Sequence, residues 1–131
     1  MQYKHTLNTN KRCGFTDITH FVMDAIKKSG VKQGICVVFV PHTTAGVTIN
    51  ENGDPDVLRD LDFALQRAVP NQGFDHYEGN SDAHTKALMT TNSLSLIIEN
   101  GKPILGTWQS VYFAEYDGPR HRKFNIKILE G

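Results

Sequence analysis

Three of the six histidines in the sequence, His42, His76 and His84, fall in segments that read as loops or element ends. Glu51, Asp54, Glu78 and Asp82 lie nearby in the chain. Neutral imidazoles with a carboxylate close by are what zinc or a similar divalent ion takes as ligands, leaving one coordination position for water or substrate. Their spacing matches no HExxH-type motif. The residues alone therefore leave two readings open, a metal centre or surface and hydrogen-bonded histidines. His5, His20 and His121 lack acidic company and read as ordinary side chains. Around His42 the run from Pro41 to Gly46 places two hydroxyls and a glycine just after an apolar strand. In such a turn, backbone N–H groups and the Thr43 and Thr44 side chains can reach an anionic or polar group. A P-loop is excluded because the GKS/T element is missing, and both threonines read equally well as strand residues. Trp108, the only tryptophan, stands beside Gly106 in what reads as a long strand. It either covers that glycine in the core or stacks on a ligand ring. Asp117-Gly118-Pro119 is first of all a turn, beyond which Arg120 and Arg122 project toward a phosphate if the turn meets the site.

The elements that must position these residues follow from periodicity. Tyr3, His5 and Leu7 alternate with polar neighbours, as a half-buried strand does, and a turn follows at Lys11 to Gly14. Ile18, Phe21, Val22, Ala25 and Ile26 keep helical spacing, with Thr16 or Asp17 as cap and Ser29-Gly30 as stop. The β-branched run Ile35 to Val40, ended by Pro41, and the run Val47 to Ile49 read as two strands. Asp54-Pro55-Asp56 opens a second helix, since proline costs nothing at the first helical position and acids suit the positive end of the macrodipole. Its expected buried stripe is Val57, Leu58, Leu61, Leu65 and Ala68. Pro70 to Asn80 has no sustained period and two glycines, so it reads as a site loop. Ser81 or Asp82 then caps a short third helix through Leu88, with His84 in its first turn, where backbone N–H groups are unpaired. Leu94, Leu96 and Ile98 form one arm of a hairpin turning at Asn100-Gly101, with Ile104 to Tyr116 as its long second arm. A last strand carries Phe124, Ile126 and Ile128. The order predicts one α+β domain over residues 1–131, with a largely antiparallel or mixed sheet, two longer helices and one short helix.

Composition removes several classes of function. Lys plus Arg and Asp plus Glu both number 14, so the net charge is zero with histidine neutral. No basic field is available to hold nucleic acid or a membrane surface. Cys13 and Cys36 have no CxxC spacing and Cys36 sits in an apolar run, so both read as reduced and structural. No stretch approaches the roughly 20 apolar residues of a membrane span. Met1 to Arg12 lacks the apolar core of a signal peptide, and the expected address is the cytoplasm.

The run from Val38 through His42-Thr43-Thr44-Ala45-Gly46 to Leu61, the segment His76 to His84, and Ser93 through Gly106-Thr107-Trp108-Gln109 together resemble the YjbQ-type family. Asp17-Ile18-Thr19 and the turn Asp117 to Arg120 extend the likeness to nearly the whole chain. The resemblance implies an α+β protein whose sheet curls into a barrel-like core and which assembles as a homotrimer. It also implies an association with a secondary thiamine-phosphate synthase activity, in which an aminopyrimidine pyrophosphate joins a thiazole phosphate and pyrophosphate leaves. On that reading a divalent ion, zinc first and magnesium as the alternative, sits on His42, His76 and His84, with His42 and Glu51 catalytic. Thr43, Thr44, Asn80, Trp108, Gln109 and Arg120 hold a small phosphorylated metabolite. Two other readings compete: a metal-assisted hydrolase using Glu51 or Asp54 as general base, and a non-catalytic trimeric module that binds a metal or metabolite.

Overall fold

A computed structural model describes residues 1–131 of the chain. Eight strands and three helices follow one another: β1 (Gln2–Asn8), β2 (Gly14–Asp17), α1 (Thr19–Ser29), β3 (Gln33–Phe39), β4 (Ala45–Glu51), α2 (Pro55–Ala68), α3 (Ser81–Thr90), β5 (Ser93–Glu99), β6 (Lys102–Pro103), β7 (Gln109–Glu115) and β8 (His121–Glu130). The strands form a five-stranded sheet in the order β1-β8-β3-β5-β6 and a three-stranded sheet in the order β2-β7-β4. Every pairing is antiparallel, so of the two expected sheet types only the antiparallel one forms. The sheets curl toward each other as a half-barrel.

The alternation read from the sequence is what fills the space between them. Phe124, Ile126 and Ile128 of β8 face inward beside Cys36 and Val38 of β3, opposite Val47 of β4 and Val111 and Phe113 of β7. Helix α1 closes this core with Ile18, Val22, Ala25 and Ile26. Each large side chain taken fully out of water here contributes on the order of 1.5–3 kcal/mol. Truncating Ile126 to Ala would cost about 2–5 kcal/mol through lost contacts and a cavity. No helix is long and apolar enough to cross a membrane.

Several expectations are corrected. The long second arm of the hairpin is not one strand. Asn100 and Gly101 do turn with positive φ, 53° and 74°, as a tight hairpin requires, but pairing with β5 ends at Pro103. One more bond follows, Ile104 N–H to Ile97 O at 2.8 Å, and the chain then crosses to the other sheet as β7. Trp108 consequently lies in the turn before β7 rather than inside a strand. Likewise β3 and β4 belong to different sheets, so the segment between them is a crossing and not a hairpin. Strand β2 falls just after the expected turn. Four residues with one large apolar side chain carry no readable period, and its pairing with β7 makes it a strand.

The helix starts differ too. The cap position of α1 is Ile18, which has no polar side chain, and Asp17 Oδ1 instead accepts from Thr19 N at 2.9 Å and Thr19 Oγ1 at 2.6 Å. Asp54 caps α2 as expected, accepting from Asp56 N at 2.9 Å. No residue of α2 is buried, however, because the helix lies along the outside of the three-stranded sheet. Val57, Leu58, Leu61 and Leu65 of its stripe are half-covered and Ala68 is exposed, and only Leu65 packs on the cluster of Ala83, Ala87, Ala114 and Tyr116. Helix α3 runs to Thr90 with Asn80 at its cap position and no side-chain cap. The N–H of His84 is paired, donating to Asn80 O at 3.3 Å.

Candidate functional site

The crossing from β3 to β4 places His42 and Thr43 on the rim between the two sheets, where α3 faces them. Two adjoining cavities open there, and both are lined by His42, Thr43 and His84. The first, of about 470 Å3, adds Ala45, Ala87 and Leu88 to those three and is partly apolar. The second, of about 350 Å3, adds Glu78, Asn80, Arg120 and Arg122 and has no hydrophobic residue in its wall. Together they make a cleft with one lobe suited to an organic body and one suited to a polar, charged group.

Three buried polar arrangements hold this cleft in shape. The first anchors α3. Asp82, 1% exposed, accepts from Arg12 Nη1 and Nη2 at 3.1 and 3.0 Å and from Lys86 Nζ at 3.2 Å. Burial opposes ionisation of Asp82, but the Arg12 and Lys86 contacts outweigh it and hold its carboxyl below the ordinary range. With the first turn of α3 fixed in this way, His84 faces the crossing. At the far end of the same helix Thr90 and the Tyr116 hydroxyl make a short hydrogen bond.

The second arrangement sits in the floor of the polar lobe. Glu115 is buried and receives Thr9 Oγ1 at 2.7 Å, Arg122 Nε at 2.8 Å, Tyr116 N at 3.1 Å, Asp117 N at 3.0 Å and Arg122 Nη2. Here too burial works against the charge, and the five donors, led by Arg122, overcome it, so the carboxyl lies below its usual range. Arg122 Nη2 also donates to Thr44 Oγ1 at 2.8 Å, fixing the crossing segment to β8. The third arrangement joins the loop before α3 to the turn before β8. Asn80 Nδ2 donates to Asp117 Oδ2 at 2.7 Å and Glu78 Oε2 at 3.0 Å, and Arg120 donates to the same Asp117 Oδ2 from Nη2 at 3.0 Å and to the Asp117 carbonyl from Nε at 2.8 Å. Gly118 is required in that turn, because a Cβ there would lie 2.2 Å from Lys11 O.

Of the residues singled out from the sequence, the fold brings His42, Thr43, Thr44, Asn80, His84 and Arg120 to one lobe. His76 joins them at its edge, its ring 5.6 Å from that of His84 between centroids. That separation suits two imidazoles that share an ion at bond lengths of about 2.0–2.1 Å. His42 is engaged differently, since its Nε2 accepts the Lys123 N–H at 2.9 Å. Burial, then the positive charge of Arg122, keeps its pKa below the ordinary histidine value. Within one chain no three His, Cys, Asp or Glu side chains converge as a complete ligand set. Of the three histidines expected as ligands, only His76 and His84 bring their rings together.

Glu51, Trp108 and Gln109 lie elsewhere. Strand β4 runs from Ala45 beside the crossing to Glu51 at its other end, where Glu51 pairs with Gln109. Six steps of about 3.3 Å put roughly 20 Å between the two ends. There the Trp108 ring lies over Gly53, so closely that a Cβ on Gly53 would sit 2.7 Å from it, and the indole remains 64% exposed. Sequence reasoning passed over Arg12, Lys86 and Glu115. Only Glu115 left a signal, as a lone carboxylate in the apolar run Val111 to Tyr116; a buried charge in such a run must be paired.

The family described as UPF0047 protein YjbQ-like matches residues 3–131. A UPF0047 protein of Methanocaldococcus jannaschii is 52% identical over 130 residues, covering 98% of this chain and 94% of its own. The crystal structure of an uncharacterized YjbQ/UPF0047 protein from Clostridium acetobutylicum superposes with a TM-score of 0.95 at 52% identity, covering 97% of this chain and 99% of that one. A YbjQ-like protein of unknown function from Sulfolobus solfataricus reaches a TM-score of 0.96 at 29% identity, covering 100% of this chain and 97% of its own.

Proposed function

The chain belongs to the UPF0047 YjbQ-like family, and from that premise we propose that it is a small-molecule transferase of the thiamine-phosphate synthase kind, acting on a phosphorylated metabolite. The observation that carries this reading is the two-lobed cleft, in which a partly apolar lobe and a wholly polar one share His42, Thr43 and His84. A substrate with a heterocyclic body and a pyrophosphate tail would lie across that shared edge. Its breaking bond would then fall beside hydroxyl and imidazole groups, where stabilisation of a departing oxyanion has most effect.

A divalent ion, zinc or magnesium, enters this proposal on His76 and His84, and when bound it supplies positive charge to a leaving pyrophosphate. The protein's own share of the work is to orient. Asn80 and Arg120 tie the loop before α3 to the polar lobe through Asp117, and Thr43 offers a hydroxyl at the junction. We extend the proposal to a homotrimer in the cytoplasm. A row of exposed apolar side chains on the outer face of the five-stranded sheet supports assembly: Ile35 (48% exposed) stands between Ile97 (62%) and Leu129 (52%). Two unpaired thiols, Cys13 and Cys36, support a reducing address. Glu51, Trp108 and Gln109 enter the proposal only through a neighbouring copy. The hydrolytic alternative is the weaker one, because its general base, Glu51 or Asp54, lies outside the cleft of its own chain.

The deciding measurement is a steady-state rate with the aminopyrimidine pyrophosphate and thiazole phosphate pair. Wild type, His42→Ala and chelator-treated protein are compared at matched concentration. The His42 variant should turn over about a hundredfold more slowly, as after loss of one well-placed stabilising group. Equal rates in all three would leave a binding module, and pyrophosphate release without the thiazole acceptor would favour hydrolysis.

A further inference from the structure

His42 lies on the edge shared by the two lobes, and its ring is held by one unambiguous contact, the Lys123 N–H donating to Nε2 at 2.9 Å. A backbone amide nitrogen donates and never accepts, so Nε2 must be bare. A ring bare at Nε2 carries its single proton on Nδ1. The protein offers Nδ1 no partner, yet that atom is not sealed from solvent. His42 lines both lobes, and a ring so held carries an unpartnered N–H on Nδ1 and no uncommitted lone pair with which to take up a metal or a proton.

Arg122 tells the same story from the floor of the polar lobe. The residue is 4% exposed, and Nε and Nη2 are fully engaged by Glu115 and Thr44. Its Nη1 makes no hydrogen bond, is not among the sealed unpartnered atoms, and belongs to a residue that lines the lobe. A guanidinium normally satisfies its donors when buried. The four contacts made by Nε and Nη2 fix its plane, while one NH2 group of this lobe-lining residue is left without a protein partner. The Thr43 hydroxyl, with no protein partner, adds a third donor on the same wall.

We infer that His42 Nδ1–H, Arg122 Nη1 and Thr43 Oγ1 form a donor cradle that binds the phosphoryl oxygens of a phosphate monoester or diphosphate directly, with His42 acting as a neutral donor and not as a metal ligand. This inference rests on the reading of the cleft as a site for phosphorylated metabolites and specifies which groups hold the anion. An ion on His76 and His84 adds to the cradle without being the means by which the phosphoryl group is held. Glu115, touching Arg122 but not the cavity contents, is a positioning residue.

Calorimetric titration with inorganic pyrophosphate, in EDTA and again with added magnesium or zinc, tests this on the full chain. The cradle predicts binding in EDTA. His42→Leu and Thr43→Val should each weaken it by a factor on the order of 10 to 100, the range for a hydrogen bond to a charged group. His42→Gln should restore most of the affinity, because its amide oxygen can accept from Lys123 N–H while its NH2 donates to the ligand, whereas a metal ligand or base would not be rescued. In parallel, 15N spectra of the imidazoles should give the His42 Nε2 resonance an unprotonated shift before and after ligand addition. Urea midpoints of the variants separate lost binding from lost folding, and Thr43→Val, at an exposed position, keeps the test open if His42→Leu unfolds. Pyrophosphate binding that appears only with a divalent ion, a Gln variant as weak as the Leu variant, or a protonated Nε2 would overturn the cradle and leave the proposed function standing. No binding of pyrophosphate under either condition would overturn both.

Discussion

Replacing Glu115 by Gln should be among the most damaging single changes in this protein that leaves side-chain size almost unaltered. Glu115 is 3% exposed and its two oxygens take two contacts from Arg122, one from Thr9 and two from the backbone N–H groups of Tyr116 and Asp117. In the Gln variant one oxygen becomes an NH2 that can only donate, so it must face either Arg122 Nε and Thr9 or Arg122 Nη2 and the two backbone N–H groups. In both cases donors oppose donors and Arg122, itself 4% exposed, keeps an uncompensated charge. Breaking a buried pair from one side costs about 3–5 kcal/mol. Against a total stability of about 5–15 kcal/mol for a typical domain, that is a large share, and at this chain length it lowers Tm by roughly 10–20 °C. The assay is urea unfolding at fixed protein concentration, so that any assembly contributes equally, with wild type, Glu115→Gln, Arg122→Met and the double variant forming a cycle. The double variant should be more stable than the sum of the single effects predicts by at least about 2 kcal/mol, since it removes both charges together. A Glu115→Gln loss below about 1 kcal/mol with an unchanged m-value would refute the argument that this pair holds the floor of the polar lobe.

Three further outcomes are expected. Asp54→Ala should cost about 1 kcal/mol in the same unfolding assay, because the Asp54 carboxylate accepts from Asp56 N at the start of α2; an unchanged midpoint would show that Pro55 alone starts the helix. Gly53→Ala should push the Trp108 ring, which a new Cβ would approach to 2.7 Å, off its seat. As Trp108 is the only tryptophan, its fluorescence maximum reports the shift directly, and an unaltered spectrum would contradict the contact. Stability should fall with pH in two stages. His5 and His42 have lowered pKa values, burial being the leading cause in each. Their contribution is whole above the ordinary histidine value of about 6.5 and is lost as pH falls below it. Asp82, Glu115 and Asp117 are held below their ordinary values by hydrogen bonds that outweigh burial. Their contribution is present above about pH 4 and disappears as pH falls through their folded values. A stability that rose between pH 7 and pH 5 would contradict the histidine assignment.

Local features of this fold were legible wherever the cause is local. The strand alternation at Phe124, Ile126 and Ile128, the helical stripe from Ile18 to Ile26, the Gly30 stop with φ of 72°, the Asp54-Pro55 start of α2 and the Asn100-Gly101 turn depend on dihedral preferences and period, which neighbouring residues set among themselves. The clustering of His42, Thr43, His84 and Arg120 was legible through motif resemblance, and the fold does bring those four to one lobe.

What the tertiary structure decided are pairings between distant segments. Nothing near Pro103 says that the chain leaves β5 for the other sheet, and that departure puts Trp108 in a turn and carries Glu51 and Gln109 to the end of β4 remote from His42. The ion pairs of buried Asp82 with the partly exposed Arg12, and of Glu115 with Arg122, could not be read either. Even where a charge stands in an apolar run, as Glu115 does, the sequence does not say which distant element neutralises it, and burial of a charge is tolerated only once that partner is in place. The role of His42 turned on the same kind of fact. Its residue type allows ligand, base or donor, and the donor role proposed above rests on one backbone N–H of Lys123, brought to Nε2 by the packing of β8 against the crossing segment, because hydrogen-bond geometry, unlike periodicity, exists only after distant strands have met.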